Sequence, residues 1–357
     1  MSRGYVGGTP FQHVRKGVFT INEHREWVAP WAIGVQDTGT RGVNGAGLRH
    51  VILSGAGVKE VTLSTVFFDN HPSYQFPDWT DAAGNVFCTI PRAYWWRGTM
   101  PDTADGTTPR WTMLLSPVPR EGFTSNPGAF SRPGSWIDKY YYGKYRGYNA
   151  GSSKVGSKPG QTPWASVSFD NYRTYCANNG TGYHMVSLFE WHEILARAVI
   201  ERKTFQLVPD ASRVTPALCV YRGINDFAYG PTTGVYVEWM DGIRTDASGN
   251  YEVWGEAGGT YNVTVIAPPI YSGSDYYGKS ILSGGMFDSL FLAATLGPDT
   301  TCMIPDVSGS RPATNNTGRV CSSHFKADVA TNGAFFSIFS QLSSNTNATI
   351  GSRLAKW

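Results

Sequence analysis

The sequence predicts an α+β fold: two helices among irregular antiparallel strands and long loops, behind a small N-terminal β module. Three observations lead there. Two segments only, around residues 168–180 and 187–203, carry helix caps and helical apolar spacing. Most other apolar runs are short, alternate in polarity and are bounded by turn residues. Glycine is abundant at 41 residues and aromatics reach 14%, while charged residues make up 16%, below the roughly 25% of an ordinary soluble domain. Such a profile suits a strand-rich particle with a polar, uncharged surface. At 357 residues the chain can bury a substantial core and hold one large or two ordinary domains.

Residues 1–60 form the expected N-terminal module. Short strand-like runs occur at Gly17 to Ile21, Trp27 to Val35 and His50 to Leu53, with turn residues such as Asn44-Gly45 between them. The texture changes near Lys59, and 61–357 is read as the second domain. Val61 to Val66 alternates like a half-buried strand; Val86 to Pro91 and Trp111 to Leu115 are similar. Residues 149–162 are Gly/Ser/Lys-rich and read as a flexible polar loop.

The first helix begins at Ser168, a suitable N-cap, places Phe169, Tyr172 and Cys176 on one face, and stops at Asn179-Gly180. The second opens with Ser187-Leu188-Phe189-Glu190, a capping box in which Ser and Glu satisfy two orphan backbone N–H groups reciprocally. Leu188, Trp191, Leu195, Ala198 and Val199 give it one apolar face, and Glu201-Arg202-Lys203 ends it. Residues 204–300 return to strand texture, with a hairpin from Ile243 to Val253 turning through 246–250. The last thirty residues set Ser, Thr, Asn and Gln beside Phe335, Phe336, Ile338 and Phe339. Aromatics supply contact area at low entropic cost, and short polar side chains supply adaptable hydrogen bonds. Phe335 and Phe339 are assigned to the core, and Arg353 to a carboxylate that braces the fold.

Several function classes are not expected. The net charge is +3, from 30 basic and 27 acidic residues, with no Lys/Arg cluster, so nucleic-acid binding lacks its electrostatic footprint. No apolar run approaches the roughly 18 residues of a membrane span, and Met1-Ser2-Arg3-Gly4 leads into no apolar signal segment. The five cysteines, Cys88, Cys176, Cys219, Cys302 and Cys321, include no CxxC pair, so no metal or other cofactor is expected. They read as buried free thiols, with a Cys302–Cys321 bridge as the alternative. His192-Glu193 lacks a second histidine four residues after His192, where Ala196 stands, and His192 reads as a helix-surface residue. Gly273 to Ser280 spells GxxxxGKS, but Pro268-Pro269 breaks the strand that should precede a phosphate loop. Gly284-Gly285 would interrupt the helix that should follow. Asp226, Glu238, Asp241 and Glu252 could serve a glycosidase only if two of them stood roughly 5–9 Å apart.

The order of elements resembles the C-type lectin fold, in the form shared by formylglycine-generating enzymes and phage tail-fibre proteins. Trp164 to Cys176 resembles that family's first helix, Tyr183 to Trp191 the entry to its second, and Ile350-Gly351-Ser352-Arg353-Leu354 its closing strand. Further resemblances to the phage members lie at Ile90-Pro91 with Tyr94-Trp95-Trp96, and at Gly122-Phe123 to Phe130. Others lie at Tyr140 to Tyr145, Tyr221 to Asn225, Trp239 to Ile243, and Ile304-Pro305-Asp306 with Gly309-Ser310. Together they cover about residues 75–357 and leave 1–60 uncovered. Some family members are targets of diversity-generating retroelements, which vary the surface before the terminal strand; Lys326 to Asn347 resembles such a region. The copper-binding cysteine pair of the enzymes has no counterpart, because Ser322 to Trp357 contains no cysteine.

The resemblance implies a phage receptor-binding protein of the tail fibre or tail tip, non-enzymatic, made in the host cytoplasm and carried on the virion. Residues 1–60 would attach it to other virion proteins. Lys326, Asp328, Thr331, Asn332, Phe336, Ile338, Ser340, Gln341, Ser343 and Asn345 would meet a host cell-surface receptor, protein or glycan, in a homotrimer. The alternatives are a structural decoration or baseplate protein without receptor contact, and a glycan-degrading tailspike.

Overall fold

The computed structural model describes residues 32–40, 47–54, 57–205, 207, 220–227, 237–246, 250–254, 261–265, 277–281, 288–297, 304–307, 318–323, 335 and 337–357. Of 262–265, 277–279, 296–297, 304–307, 318–323 and 337–340 it describes the backbone alone. The architecture corrects the α+β, C-type-lectin-like expectation: the fold is mostly β, with 40% strand and 18% helix in several antiparallel sheets. Capped helices announce themselves locally, whereas strands of two or three residues, such as Thr124–Ser125, Ser131–Arg132, Tyr148–Asn149 and Val155–Gly156, are too short to show a period of two.

One sheet has six strands in the order Gly57–Glu60, Leu48–Ser54, Ile33–Asp37, Pro109–Ser116, Tyr94–Pro101 and Thr124–Ser125. Its pairings are antiparallel, with Ile33 opposite both Ile52 and Leu115. The described part of the 1–60 module is thus woven into the same sheet as residues 94–125. Gly34 is required at that seam: a Cβ there would stand 1.8 Å from the Met113 carbonyl oxygen. His50, on the same side of the chain, lies with Nε2 2.8 Å from the Ile200 carbonyl, at the end of the long helix.

A second sheet runs Tyr183–Met185, Leu354–Lys356, Lys139–Gly143, Val86–Pro91 and Asp78–Thr80. Leu354–Lys356 is an interior strand, with Ala355 opposite both Tyr142 and His184. A third sheet runs Tyr261–Val265, Tyr251–Trp254, Val237–Thr245, Gly318–Ser323 and Ser337–Leu342, and Ile350–Gly351 pairs parallel to Val237-Glu238. The expected hairpin is present, with Ile243 opposite Val253 and the Asp246 N–H donating to the Asn250 carbonyl.

Both capped helices form where their signals stand. Phe169–Ala177 is capped by Ser168, whose Oγ accepts from the Asn171 N–H. Leu188–Arg202 starts at the Ser187–Glu190 capping box and ends at Lys203, in left-handed backbone with φ 53°. The expectation of a single apolar face is corrected: residues 188–200 are buried on every side. The buried acidic and basic side chains of this helix are matched one by one. Glu193 accepts from Trp95 Nε1 at 2.9 Å, and Arg197 donates to Glu193, to the Ser73 carbonyl and to the Pro91 carbonyl. His192 is fully buried rather than on the surface, and its Nδ1 accepts from the Phe291 N–H at 2.9 Å. Burying each large apolar side chain of this helix contributes about 1.5–3 kcal/mol. Ser187 is buried within the box, its Oγ accepting from the Glu190 N–H. Ser187→Ala is expected to lower stability by about 1–2 kcal/mol, measurable as a lower urea midpoint at unchanged slope.

Two further expectations change, and the rejection of a phosphate loop at 273–280 stands. Val61 to Val66 is not a strand: Ser64 caps the helix Thr65–Asn70, which buries Phe67 and Phe68, and that burial overrides the local alternation. The 149–162 stretch contains a small pairing of Tyr148–Asn149 with Val155–Gly156, and Ser157 is buried where it donates to the Val86 carbonyl. Gly278, Lys279 and Ser280 lie in the strand Tyr277–Ile281, where a phosphate loop would need the first turn of a helix.

Candidate functional site

The frame of the C-terminal region is a buried ion network. Arg353 and Glu238 are both fully buried, and Arg353 Nε donates to Glu238 at 3.0 Å. Its other nitrogens donate to the Asn225 and Gly143 carbonyls at 2.8 and 3.3 Å. Arg146 lies 3.5 Å from the same carboxylate. Burial works against the charge of both arginines. For Arg353 the Glu238 carboxylate, together with Tyr142 and Asp226, outweighs burial and its pKa is raised; for Arg146 burial prevails and its pKa is lowered. Next door, Ser352 Oγ donates to the Trp239 carbonyl, and the Tyr172 hydroxyl donates to the Ser352 carbonyl. The brace assigned to Arg353 is present.

Residues 343–349 form a turn on this frame, held by its backbone. The Asp170 N–H donates to the Ser343 carbonyl, Ser166 N–H to Asn347, and Val237 N–H to Thr349, at 3.0 to 3.3 Å. Asn347 Oδ1 accepts from both the N–H and the hydroxyl of Thr349. With the main chain so occupied, Ser344, Thr346, Asn347 and Ala348 are exposed. Sequence reasoning left these four out of its site, although an asparagine two residues before a threonine is an available signal for such a turn.

The preceding segment is not a loop but the strand Ser337–Leu342, at one edge of the third sheet. Between the pairs Arg319–Gln341 and Cys321–Ile338 the register shifts by one residue, the mark of a bulge, which twists an edge away from further pairing. Of the predicted contact residues, Ile338, Ser340 and Gln341 belong to this strand, and Ser343 and Asn345 to the turn. Gln341, Ser343 and Asn345 are half-buried, and Asn345 Nδ2 donates to Gln341 Oε1 at 3.0 Å. Lys326, Asp328, Thr331, Asn332 and Phe336 lie outside the described residues. Phe335 is buried against Phe205 and Phe291, as assigned; the Phe339 side chain lies outside the description.

Beside the turn, Trp164 stacks on Tyr175 at 5.3 Å. Arg173, one turn of helix beyond Asp170, pairs with Asp241 at 2.8 Å. The four carboxylates weighed for glycan hydrolysis each lie within ion-pair distance of arginine: Glu238 and Asp226 near Arg146, Asp241 near Arg173, and Glu252 near Arg244. Cys88 and Cys176 are free and buried. Burial pushes the Cys88 thiol up to about 12 and the Cys176 thiol well above its usual value, so neither supplies thiolate at neutral pH. Cys219 and Cys302 lie outside the described residues, as does the Cys321 side chain. No helix among the described residues is long and apolar enough to cross a membrane. Comparison with protein-family models and with curated proteins gives no match to this chain.

Proposed function

We propose that this chain is a phage virion protein that adheres to the host cell surface through its C-terminal edge strand and turn. The observation that carries the reading is the division of labour in 343–349. Backbone groups fasten the turn to Ser166, Asp170 and Val237, while the side chains of Ser344 and Thr346 stay outside. Side chains there can change without loss of the fold, which suits a surface selected for contact with changing partners. The role is adhesion rather than chemistry, with other virion proteins holding the N-terminal region. A homotrimer would turn weak single contacts into useful avidity.

The test is binding of purified full-length protein to host cells, with Gln341→Ala and a Ser344→Ala/Thr346→Ala double variant. Binding by the parent and loss of at least about tenfold in the double variant, with the urea midpoint unchanged, is expected. Parent binding that neither variant weakens would contradict the adhesive turn. Protein that binds no cell but decorates purified particles would favour the structural virion reading.

A further inference from the structure

A second recess lies on the opposite flank of the sequence, built from segments that share no residue with the C-terminal turn. It encloses about 590 Å³, within the range of small-ligand sites. Arg92, Tyr94, Phe123, Ser125, Trp136 and Asp288 all border it.

One wall is Trp136, with half of its surface in solvent. The indole is held by local geometry rather than by burial. Ser131–Arg132 pairs with Ser135–Trp136 across Pro133-Gly134, and Gly134 takes φ +72°, the backbone that a proline-glycine turn demands. The Ile137 N–H ties the hairpin to the Phe130 carbonyl at 2.9 Å. The Arg92 guanidinium sits 5.7 Å from the Trp136 ring centre and 5.4 Å from that of Tyr94, and pairs with Asp138 at 3.3 Å. A large aromatic face is thereby fixed and left half open to water.

The polar groups point the same way. Ser125 is 7% exposed, borders the recess, and its Oγ has no hydrogen-bond partner. That hydroxyl is itself closed off from solvent, so the polar groups within reach of an occupant are Arg92 and Asp288. Arg92 and Asp288 supply one cation and one anion, so the recess favours no net charge on its occupant. A planar apolar face next to a guanidinium and a carboxylate matches a sugar ring, whose C–H face stacks on indole while its hydroxyls bond at the edge. A proline-rich peptide would need an empty slot between parallel aromatic ridges. Here Arg92 fills the space between Trp136 and Tyr94.

We propose that this recess binds a short neutral oligosaccharide, stacked on Trp136 and hydrogen-bonded at Arg92 and Asp288. The site stands apart from the adhesive turn and holds whether or not that turn meets a receptor. The test uses full-length protein on a printed array of defined neutral and acidic oligosaccharides and a proline-rich peptide panel, with hits titrated by calorimetry. Binding to neutral oligosaccharides is expected, weakened about tenfold or more in Trp136→Ala and largely restored in Trp136→Tyr, as loss and return of one aromatic platform predicts. Gln341→Ala should bind sugar as the parent does. Trp136 is exposed, so an unchanged urea midpoint will show that Trp136→Ala folds. No sugar bound, binding confined to acidic sugars, binding indifferent to Trp136→Ala, or capture of proline-rich peptides alone would overturn the assignment.

Discussion

Glu238→Ala should destabilise the protein by roughly 3–5 kcal/mol, the usual consequence of removing one partner from a buried ion pair. The carboxylate is fully buried and faces Arg353 at 3.0 Å and Arg146 at 3.5 Å. Without it the two guanidiniums are left together in the interior, with Asp226 at 3.9 Å from Arg146 as the nearest anion named in the network. Glu238→Gln separates charge from shape: it fills the same space and should still lose most of that stability. Urea titration of the two variants decides the matter. A glutamine variant as stable as the parent would show that packing, not charge, holds the C-terminal strand in place.

Acidification should weaken the fold well before its carboxylates titrate. Burial lowers the His192 pKa to about 3, with Arg97 adding to the effect, and lowers that of His50 to about 4, with Lys203 adding and the Ile200 carbonyl opposing. Both are therefore neutral when folded, while in the unfolded chain they take up protons near pH 6.5. The unfolded state binds more protons between those values, so stability rises with pH across the window and falls as pH drops below 6.5. By pH 5 the loss is about 2 kcal/mol per histidine. His192 also cannot keep accepting from the Phe291 N–H once its Nδ1 is protonated. Urea midpoints measured from pH 7.5 to 5 should fall steadily, and His192→Gln should flatten the slope. A midpoint constant over that range would refute the assignment of both histidines as neutral and buried.

What could be seen in the sequence was what local hydrogen bonding decides. Ser168, and Ser187 with Glu190, cap helices within three residues of themselves, and 246–250 closes a hairpin between its immediate neighbours. The fold class was misjudged because sheet membership is settled at long range. Ile33–Asp37 finds its neighbour at Pro109–Ser116, and Leu354–Lys356 finds its neighbours at Lys139–Gly143 and Tyr183–Met185. No pattern within either strand names those partners. The apolar spacing of 188–199 shows one face of that helix, while the groups that cover His192, Glu193 and Arg197 come from distant parts of the chain, Phe291 and Trp95 among them. The candidate site divides similarly. Its composition is plain in Ser343 to Asn347, but the anchors at Ser166 and Asp170 come from far up the chain, and they decide which side chains remain outside.

The interior position of Leu354–Lys356 has a consequence in time. The strands on either side of it emerge from the ribosome long before it does, and the sheet that joins them stays incomplete until residues 354–356 arrive. During that wait two unsatisfied strand edges are open to the wrong neighbour, and pairings so distant in sequence form slowly. Synthesis of this chain should therefore depend on chaperone shelter and cool growth more than its finished stability suggests.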